Sequence, residues 1–283
     1  METINCPICN SASSGKITYL KDRLNISKEK FSLLKCNCDF VYLNPRPDKN
    51  DIAKYYENIN YNPHGKTNFI YKTIQKISFR WKLRVIQKLT KGNNSSILDY
   101  GAGKGEFASF IKKKNYDIDI YEPILKKIEF KNLSLFTDLK QIKKEYDMIT
   151  CWHSLEHVHD LKETFNTIQN ILKDKGYLLI AVPNLDAVEK DYFNKNWAPY
   201  DAPRHLYHFN YKSMNNMLNK YGFKIVAYKT IFQDTIYNIY LSSDTHSIFS
   251  LIRVFYLSIL SFVKILFINK KLSSSILYIC KKQ

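Results

Sequence analysis

Three groups of residues have types and spacings that could do chemistry, and a glycine-rich turn is the first. Gly101, Gly103 and Gly105 alternate with other residues after the apolar run 96–100 and open a predicted helix. Glycines let a backbone approach a ligand closely, and a helix N-terminus offers free N–H groups. Glu122 ends the next predicted strand, where a carboxylate can hold both hydroxyls of a ribose. The arrangement predicts a nucleotide-type ligand.

The residue that begins this turn, Asp99, indicates which nucleotide it is. Its carboxylate would crowd a pyrophosphate but suits a cationic ligand that carries an amino group. The pattern Asp99-x-Gly101-x-Gly103-x-Gly105 resembles the first motif of class I S-adenosylmethionine-dependent methyltransferases. Residues 146–158, with a Leu-Glu-His sequence, and residues 172–184 resemble the fourth and fifth strands of the same family, so the resemblance covers roughly residues 95–230.

The resemblance implies a set of cofactor contacts. The methionine part of the cofactor would lie beside the glycine turn, its ribose beside the second strand, and its adenine after the third strand. The candidate cofactor-binding residues are Asp99, Gly101, Gly103, Gly105, Glu122, Asp138 and His153.

Four cysteines near the N-terminus form the second group. Cys6 and Cys9 have metal-knuckle spacing, and Cys36 and Cys38 form a second pair. Four thiolates suit tetrahedral, structural zinc, which leaves no open position for catalysis. The cluster resembles the N-terminal zinc ribbon of some bacterial methyltransferases, except that one residue rather than two separates the second pair; a metal-free knuckle is the alternative. Cys151 and Cys280, in predicted strands, are expected to be small core residues.

The third group lies in residues 197–209, which are rich in Trp, Tyr, His and Arg and follow the fifth predicted strand. Ligands bind at this end of a parallel sheet. The segment resembles the Pro-Arg-His-Leu-x-His-Phe stretch of zinc-ribbon methyltransferases. We expect His205 or His157 to act as general base and Arg204 to contact an anionic acceptor. The alternative is that these residues only hold the loop. The remaining candidate acceptor contacts are Tyr200, His208 and Asn184.

Alternating strands and helices must position these groups. Strands are predicted at 96–100, 116–121, 133–136, 147–151, 177–182, 223–228 and 274–280, with helices between them. The fold class is therefore α/β: a Rossmann-like three-layer sandwich with a mostly parallel seven-strand sheet and a small zinc knuckle. The resemblance implies that the last strand is antiparallel. The predicted domains are a knuckle at 1–47, a helical linker or lid at 48–92 and the methyltransferase domain at 93–283.

Residues 248–268 form an apolar run close to the length that spans a bilayer. Arg253 and Lys264 are eleven residues apart and therefore fall on nearly the same face of a helix. The run is interpreted as an amphipathic helix inserted before the last strand. It could pack on the protein or a second subunit in a homodimer, lie in a membrane interface, or span.

Composition limits the function. The chain has 283 residues, 45% hydrophobic, which excludes a disordered protein, and its net charge of +17 favours an anionic partner. No secretory signal is visible, so we expect a cytoplasmic protein, with a position at the inner face of the membrane as the alternative.

The predicted function is S-adenosylmethionine-dependent O-methylation of a small or glycan-like acceptor, phosphorylated or lipid-linked, in the manner of surface-polysaccharide or lipid-linked sugar pathways. An RNA methyltransferase is one rival, which the charge suits, although the loop after residue 151 lacks the Asn/Asp-Pro-Pro-aromatic signature of base N-methylation. Nucleic acid is thus the less favoured partner. A non-catalytic, cofactor-binding scaffold is the other rival.

Overall fold

A seven-stranded sheet forms the centre of the protein. The structure is a computed structural model that describes residues 1–56, 69–90, 92, 94–124, 130, 132–243 and 247–283. For residues 69–74 it describes the backbone alone. The strands are β4 (Ser96–Tyr100), β5 (Asp117–Tyr121), β6 (Ser134–Phe136), β7 (Tyr146–Trp152), β8 (Leu172–Pro183), β10 (Phe223–Thr230) and β11 (Ser275–Lys282). Their order across the sheet is β10-β11-β8-β7-β4-β5-β6. Neighbours from β8 to β6 are parallel, and β11 is antiparallel to both of its neighbours. The predicted fold class is confirmed.

Both faces of this sheet are covered, as a parallel sheet requires. In β4, Ile97 points into one core and Leu98 into the other, because successive side chains of a strand alternate. One layer contains α1 (Phe69–Leu89) and α2 (Glu106–Lys112); the other contains α3 (Leu161–Ile171) and α5 (Tyr211–Lys220).

Local sequence explains where these helices begin. Asp160 precedes α3, and its side chain accepts a hydrogen bond from the Glu163 N–H. Asn210 and Ser213 form a reciprocal capping box at the start of α5. These side chains satisfy backbone N–H groups that have no partner inside a helix.

The N-terminal region forms a second sheet, which the sequence analysis did not predict. β1 (Ser14–Lys21), β2 (Lys30–Cys36) and β3 (Val41–Leu43) are antiparallel, and a fourth strand, β9 (Tyr207–His208), comes from the far end of the chain. Val41 pairs with His208 and Tyr42 with Tyr207. The predicted boundary at residue 47 stays a prediction, and the N-terminal sheet includes residues on both sides of it.

Two helices that the sequence analysis missed precede the last apolar segment. They are α4 (Val188–Phe193) and α6 (Phe232–Ser242). In the predicted lid, a short 3-10 helix (Ile52–Tyr55) precedes α1, and positions 57–68 lie outside the described residues.

The predicted amphipathic helix is α7 (Ile248–Phe267). It is long and apolar enough to cross a membrane by length and composition. Its buried residues are Leu257, Ser258, Ser261 and Ile265. Two of these four are serines, whereas Phe249 and Phe255 are 76% and 68% exposed. The helix therefore turns a narrow, partly polar stripe towards the protein and most of its large apolar side chains outward.

Candidate active site

The candidate residues gather at the carboxyl end of the parallel strands. Asp99 lies in β4, Glu122 follows β5, His153 follows β7, and the turn from Gly101 to Gly105 connects β4 to α2. Parallel strands end at one edge, so residues far apart in sequence share one crevice.

The glycine turn has a backbone that other residues adopt poorly. Gly101, Gly103 and Gly105 have φ angles of 71°, 55° and 76°. A Cβ on Gly101 would lie 2.3 Å from Cβ of Ser154, so no side chain fits there without displacement, whereas a Cβ on Gly103 would meet nothing within 4 Å. Glu122 reaches this turn: its Oε2 accepts a hydrogen bond of 2.9 Å from the Gly103 N–H. Two features that the sequence analysis linked by spacing are thus in direct contact.

Asp99 is buried beneath the turn, 3% exposed. The Thr150 hydroxyl donates a hydrogen bond of 2.6 Å to its Oδ1. Burial raises the pKa of Asp99 to about 6, although Thr150 and the charge of Lys82 oppose this rise. A carboxylate in this setting is poorly solvated and suits an ammonium or sulfonium partner.

Lys82 is a site residue that the sequence analysis missed. It lies on α1, and its Nζ is 4.6 Å from the ring centroid of Trp152 and 5.1 Å from that of Phe107. Burial lowers its pKa to about 8, while the charges of Asp99 and Asp234 act in the opposite direction. The sequence around Lys82 gives no local signal that this side chain reaches Asp99, because its helix is predicted only as part of a linker.

His153 ends β7 in a left-handed conformation, with φ of 53°. Its Nε2 lies 2.8 Å from Oδ2 of Asp234, and its Nδ1 lies 3.5 Å from Oε1 of Glu156. Burial lowers the pKa of His153, but the two carboxylates more than offset this and raise it to about 10. The ring is therefore a cation that joins β7 to α6.

Asp138, the predicted adenine contact, lies after β6 at the same edge of the sheet. It is exposed, and its side chain accepts a hydrogen bond from the Lys140 N–H to cap a short 3-10 helix. Its role towards adenine stays a prediction.

Next to His153 lies a cluster of imidazoles around one carboxylate, formed by Glu156, His157, His205 and His208. The rings of His157 and His205 are 4.7 Å apart at 77°, and those of His205 and His208 are 6.5 Å apart. Nδ1 of His157 is 3.0 Å from the Arg204 carbonyl oxygen and 2.9 Å from the hydroxyl of Tyr56. The two histidines proposed as the base are thus in contact, and Tyr200 packs edge-on against His208 at 5.3 Å.

Two predicted acceptor contacts have partners inside the protein, and their role towards an acceptor stays a prediction. Arg204 is fully buried, and its guanidinium pairs with Asp22 at 2.9 Å and Asp201 at 2.8 Å. Asn184 is 1% exposed, and its amide donates to the carbonyls of Lys271 and Ser273. Arg204 ties segment 197–209 to the N-terminal sheet, and Asn184 ties β8 to the start of β11.

The four cysteines meet as predicted, with each ligand atom within 4.8 Å of the others. The Sγ atoms of Cys6 and Cys38 are 3.6 Å apart, and those of Cys9 and Cys36 are 3.4 Å apart. Zn–S bonds of about 2.3 Å at tetrahedral angles put sulfurs about 3.8 Å apart, whereas a disulfide needs about 2 Å. The cluster is therefore compatible with structural zinc, including its Cys-x-Cys half.

Solved structures share this architecture. The chain matches a Galdieria sulphuraria protein described as a sarcosine dimethylglycine methyltransferase, with TM-score 0.50, 15% identity and coverage of 78% of this chain and 91% of that one. It also matches a chain of the complex between the Haloferax volcanii Trm112 methyltransferase activator and a methyltransferase, with TM-score 0.51, 11% identity and coverage of 75% and 92%. The protein has the fold of class I S-adenosylmethionine-dependent methyltransferases.

Sequence comparison identifies the family. The family model of the methyltransferase domain matches residues 72–228, more than half of the chain. The chain belongs to the methyltransferase domain family. It is 27% identical over 158 residues to an uncharacterized protein of Methanocaldococcus jannaschii, and the match covers 54% of this chain and 63% of that protein. The chain thus spans less than two thirds of this curated relative.

The turn and its neighbours fit the cofactor chemically. Asp99 offers a desolvated carboxylate to the methionine amino group, Glu122 offers one to the ribose hydroxyls, and Gly101 leaves the space that a side chain would fill. Which individual residues touch the cofactor stays a prediction.

Proposed function

We propose that the protein transfers a methyl group from S-adenosylmethionine to a hydroxyl of a small or glycan-like acceptor, in surface-polysaccharide or lipid-linked sugar synthesis. The observation that carries the proposal is the pair of imidazoles beyond β7, each with its Nδ1 against a backbone carbonyl. A hydroxyl must lose its proton when it attacks the sulfonium methyl group, and an imidazole group can assist this loss.

The hydrogen bonds of the two rings support this role. Nδ1 of His157 faces the Arg204 carbonyl, and Nδ1 of His205 faces the Pro199 carbonyl at 2.7 Å. A carbonyl oxygen can only accept, so each Nδ1 carries a proton, and a ring in its neutral form has its lone pair on Nε2. Burial and the charge of His205 lower the pKa of His157 to about 4, so this ring is neutral at physiological pH.

The test is turnover with pooled sugar nucleotides and lipid-linked sugars, read as formation of S-adenosylhomocysteine. We expect His157→Gln and His205→Gln each to lower kcat by about 100-fold or more, because proton transfer contributes about 10²–10⁴-fold. His159→Gln is the matched control: its Nε2 lies 3.1 Å from the Pro47 carbonyl oxygen, in contact with the N-terminal segment instead. Unchanged turnover in both cluster variants would refute the proposed base.

Two further measurements address the rivals. A steep log–log salt dependence of binding to RNA, with methyl transfer into RNA, would favour an RNA methyltransferase. Tight cofactor binding without turnover on any acceptor would favour a scaffold.

We also propose that the protein binds the surface of an anionic membrane through α7. Eleven large apolar residues between 248 and 268 are exposed, and α6, which packs on α7, exposes four more. Arg253 and Lys264 add positive charge to a chain of net charge +17. Apolar burial together with attraction to anionic lipid is how interfacial helices bind.

Flotation with phosphatidylglycerol or phosphatidylcholine vesicles tests this placement. We expect the protein to float with the anionic vesicles, and Phe249→Ser with Phe255→Ser to abolish flotation. Ile17→Ser is the control, because this side chain is 50% exposed but lies in β1. Failure of the wild type to float, together with a dimer in sedimentation that the double variant disrupts, would instead assign α7 to a homodimer interface.

A further inference from the structure

The carboxylate of Glu156 lies inside the protein without a hydrogen-bond donor. Its side chain is 0% exposed, and neither Oε atom has a hydrogen-bond partner among the described residues. The ion pair with His153 is loose, at 3.5 Å, and reaches only Oε1. A buried anion requires compensation by charge or by donors.

Two imidazoles lie next to this carboxylate. One ring nitrogen of His157, one of His205 and one oxygen of Glu156 lie within 4.8 Å of one another. Both Nδ1 atoms are bonded to backbone carbonyls, so Nε2 is the free nitrogen of each ring. A histidine that binds a metal typically donates its other N–H to a carbonyl or carboxylate, which fixes its orientation. A metal cation between these three groups would compensate the buried charge of the carboxylate.

We propose that Glu156, His157 and His205 form a binding site for a divalent transition-metal cation. Two histidines and one carboxylate are a ligand set of catalytic zinc and of other first-row metals. Metal bonds of about 2.1 Å place ligands about 3–3.5 Å apart, so ligand atoms within 4.8 Å of one another would close by at most about 1.8 Å. Both histidines are only half-buried, which leaves a coordination position open to a ligand.

The site rests on the proposed methyl transfer only for the role of that open position, and it makes the two imidazoles metal ligands instead of bases. A metal there would bind the acceptor hydroxyl and lower its pKa, so the proton leaves to solvent water without first moving to an imidazole. The oxygen then forms its bond to the methyl carbon as the bond from sulfur breaks, and the electron pair stays on the thioether. Acceptors with an oxygen that can bind a metal, such as a sugar hydroxyl beside a second oxygen, are the class that the site would select.

Metal content after dialysis against Zn²⁺, measured by mass spectrometry, tests the site. We expect about two zinc ions per chain in the wild type: one at the cysteines and one at the cluster. Glu156→Gln and His205→Ala should each bind one, His159→Ala should bind two, and Cys9→Ser should lose the other ion. Glu156→Gln removes a buried charge without changing shape, so it is expected to fold.

Cobalt adds a readout that does not depend on turnover. Thiolate-to-cobalt absorption should persist in Glu156→Gln, while the weaker bands from nitrogen and oxygen ligands should disappear. One metal ion per wild-type chain, bound by the cysteines alone, would overturn the proposed site; if His157→Gln still abolished turnover, the imidazole base would survive. Two metal ions per wild-type chain, together with full turnover of Glu156→Gln, would confirm the site and show that it takes no part in the reaction.

Discussion

A single methyl group added to the glycine turn should separate backbone strain from steric contact. Gly101→Ala and Gly103→Ala both place alanine at a left-handed φ, 71° and 55° respectively. Only the first creates a collision, because its Cβ would lie 2.3 Å from Cβ of Ser154. The two positions are two residues apart in one turn, so each serves as the other's control.

The expected magnitudes follow from these contacts. A left-handed alanine costs about 1–2 kcal/mol, and both variants share this cost. Overpacking adds about 1–3 kcal/mol to Gly101→Ala alone. At about 2–4 °C per kcal/mol for a domain of this size, the melting temperature of Gly101→Ala should lie several degrees below that of Gly103→Ala. Displacement of Ser154 also disturbs the β7 loop, so we expect at least tenfold weaker cofactor binding in Gly101→Ala.

The assay is a double-mutant cycle with Ser154→Gly, followed by chemical unfolding and by calorimetric binding of S-adenosylmethionine. Removal of the Ser154 Cβ should recover the steric part, giving a coupling energy of about 1–3 kcal/mol with Gly101→Ala and none with Gly103→Ala. Equal losses in the two alanine variants, or additivity in the cycle, would show that steric exclusion at Gly101 is not what the turn requires.

Two further predictions concern pH and metal. The pKa of Asp99 is about 6 in the folded protein and about 3.9 in an unfolded chain, so its ionisation opposes folding and stability should fall as pH rises from about 4 to about 6. Cofactor affinity should fall as the pH drops below about 6, because the Asp99 carboxylate then becomes protonated. Calorimetry across this range should show this dependence in the wild type and not in Asp99→Asn. Removal of zinc by a chelator should increase amide exchange at Tyr207 and His208 as well as in β1–β3, because β9 pairs with β3; exchange confined to residues before 47 would contradict this coupling.

Local patterns predicted where the strand, the glycine turn and Glu122 lie relative to one another. The strand, the turn and Glu122 lie within about 25 residues, and each step depends on a short-range rule: buried alternation, glycine conformation, and the position of the next strand end. The seven strands and the antiparallel last strand follow from the same periodicities and the family resemblance.

The acceptor half depends on contacts between distant residues, which no local pattern reveals. Arg204 is of a residue type that often contacts anionic ligands, but in the structure it pairs with Asp22, which is 182 positions away. Lys82 and Asp234 likewise reach the site from helices with no recognisable motif. The sequence pattern does not reveal the N-terminal strands for three reasons. β3 has only three residues, β1 contains a bulge between Lys16 and Thr18, and β2 ends at a cysteine.

The shared strand β9 has a consequence for how the chain is made. Translation delivers β1–β3 first, yet their sheet lacks its fourth strand until residues 207–208 have left the ribosome. Until then the edge of β3 has unpaired backbone groups, the type of edge that invites wrong pairing. A bound metal at the cysteines would hold this early fragment in shape during the interval, so metal supply during synthesis should affect the yield of folded protein more than metal supply afterwards.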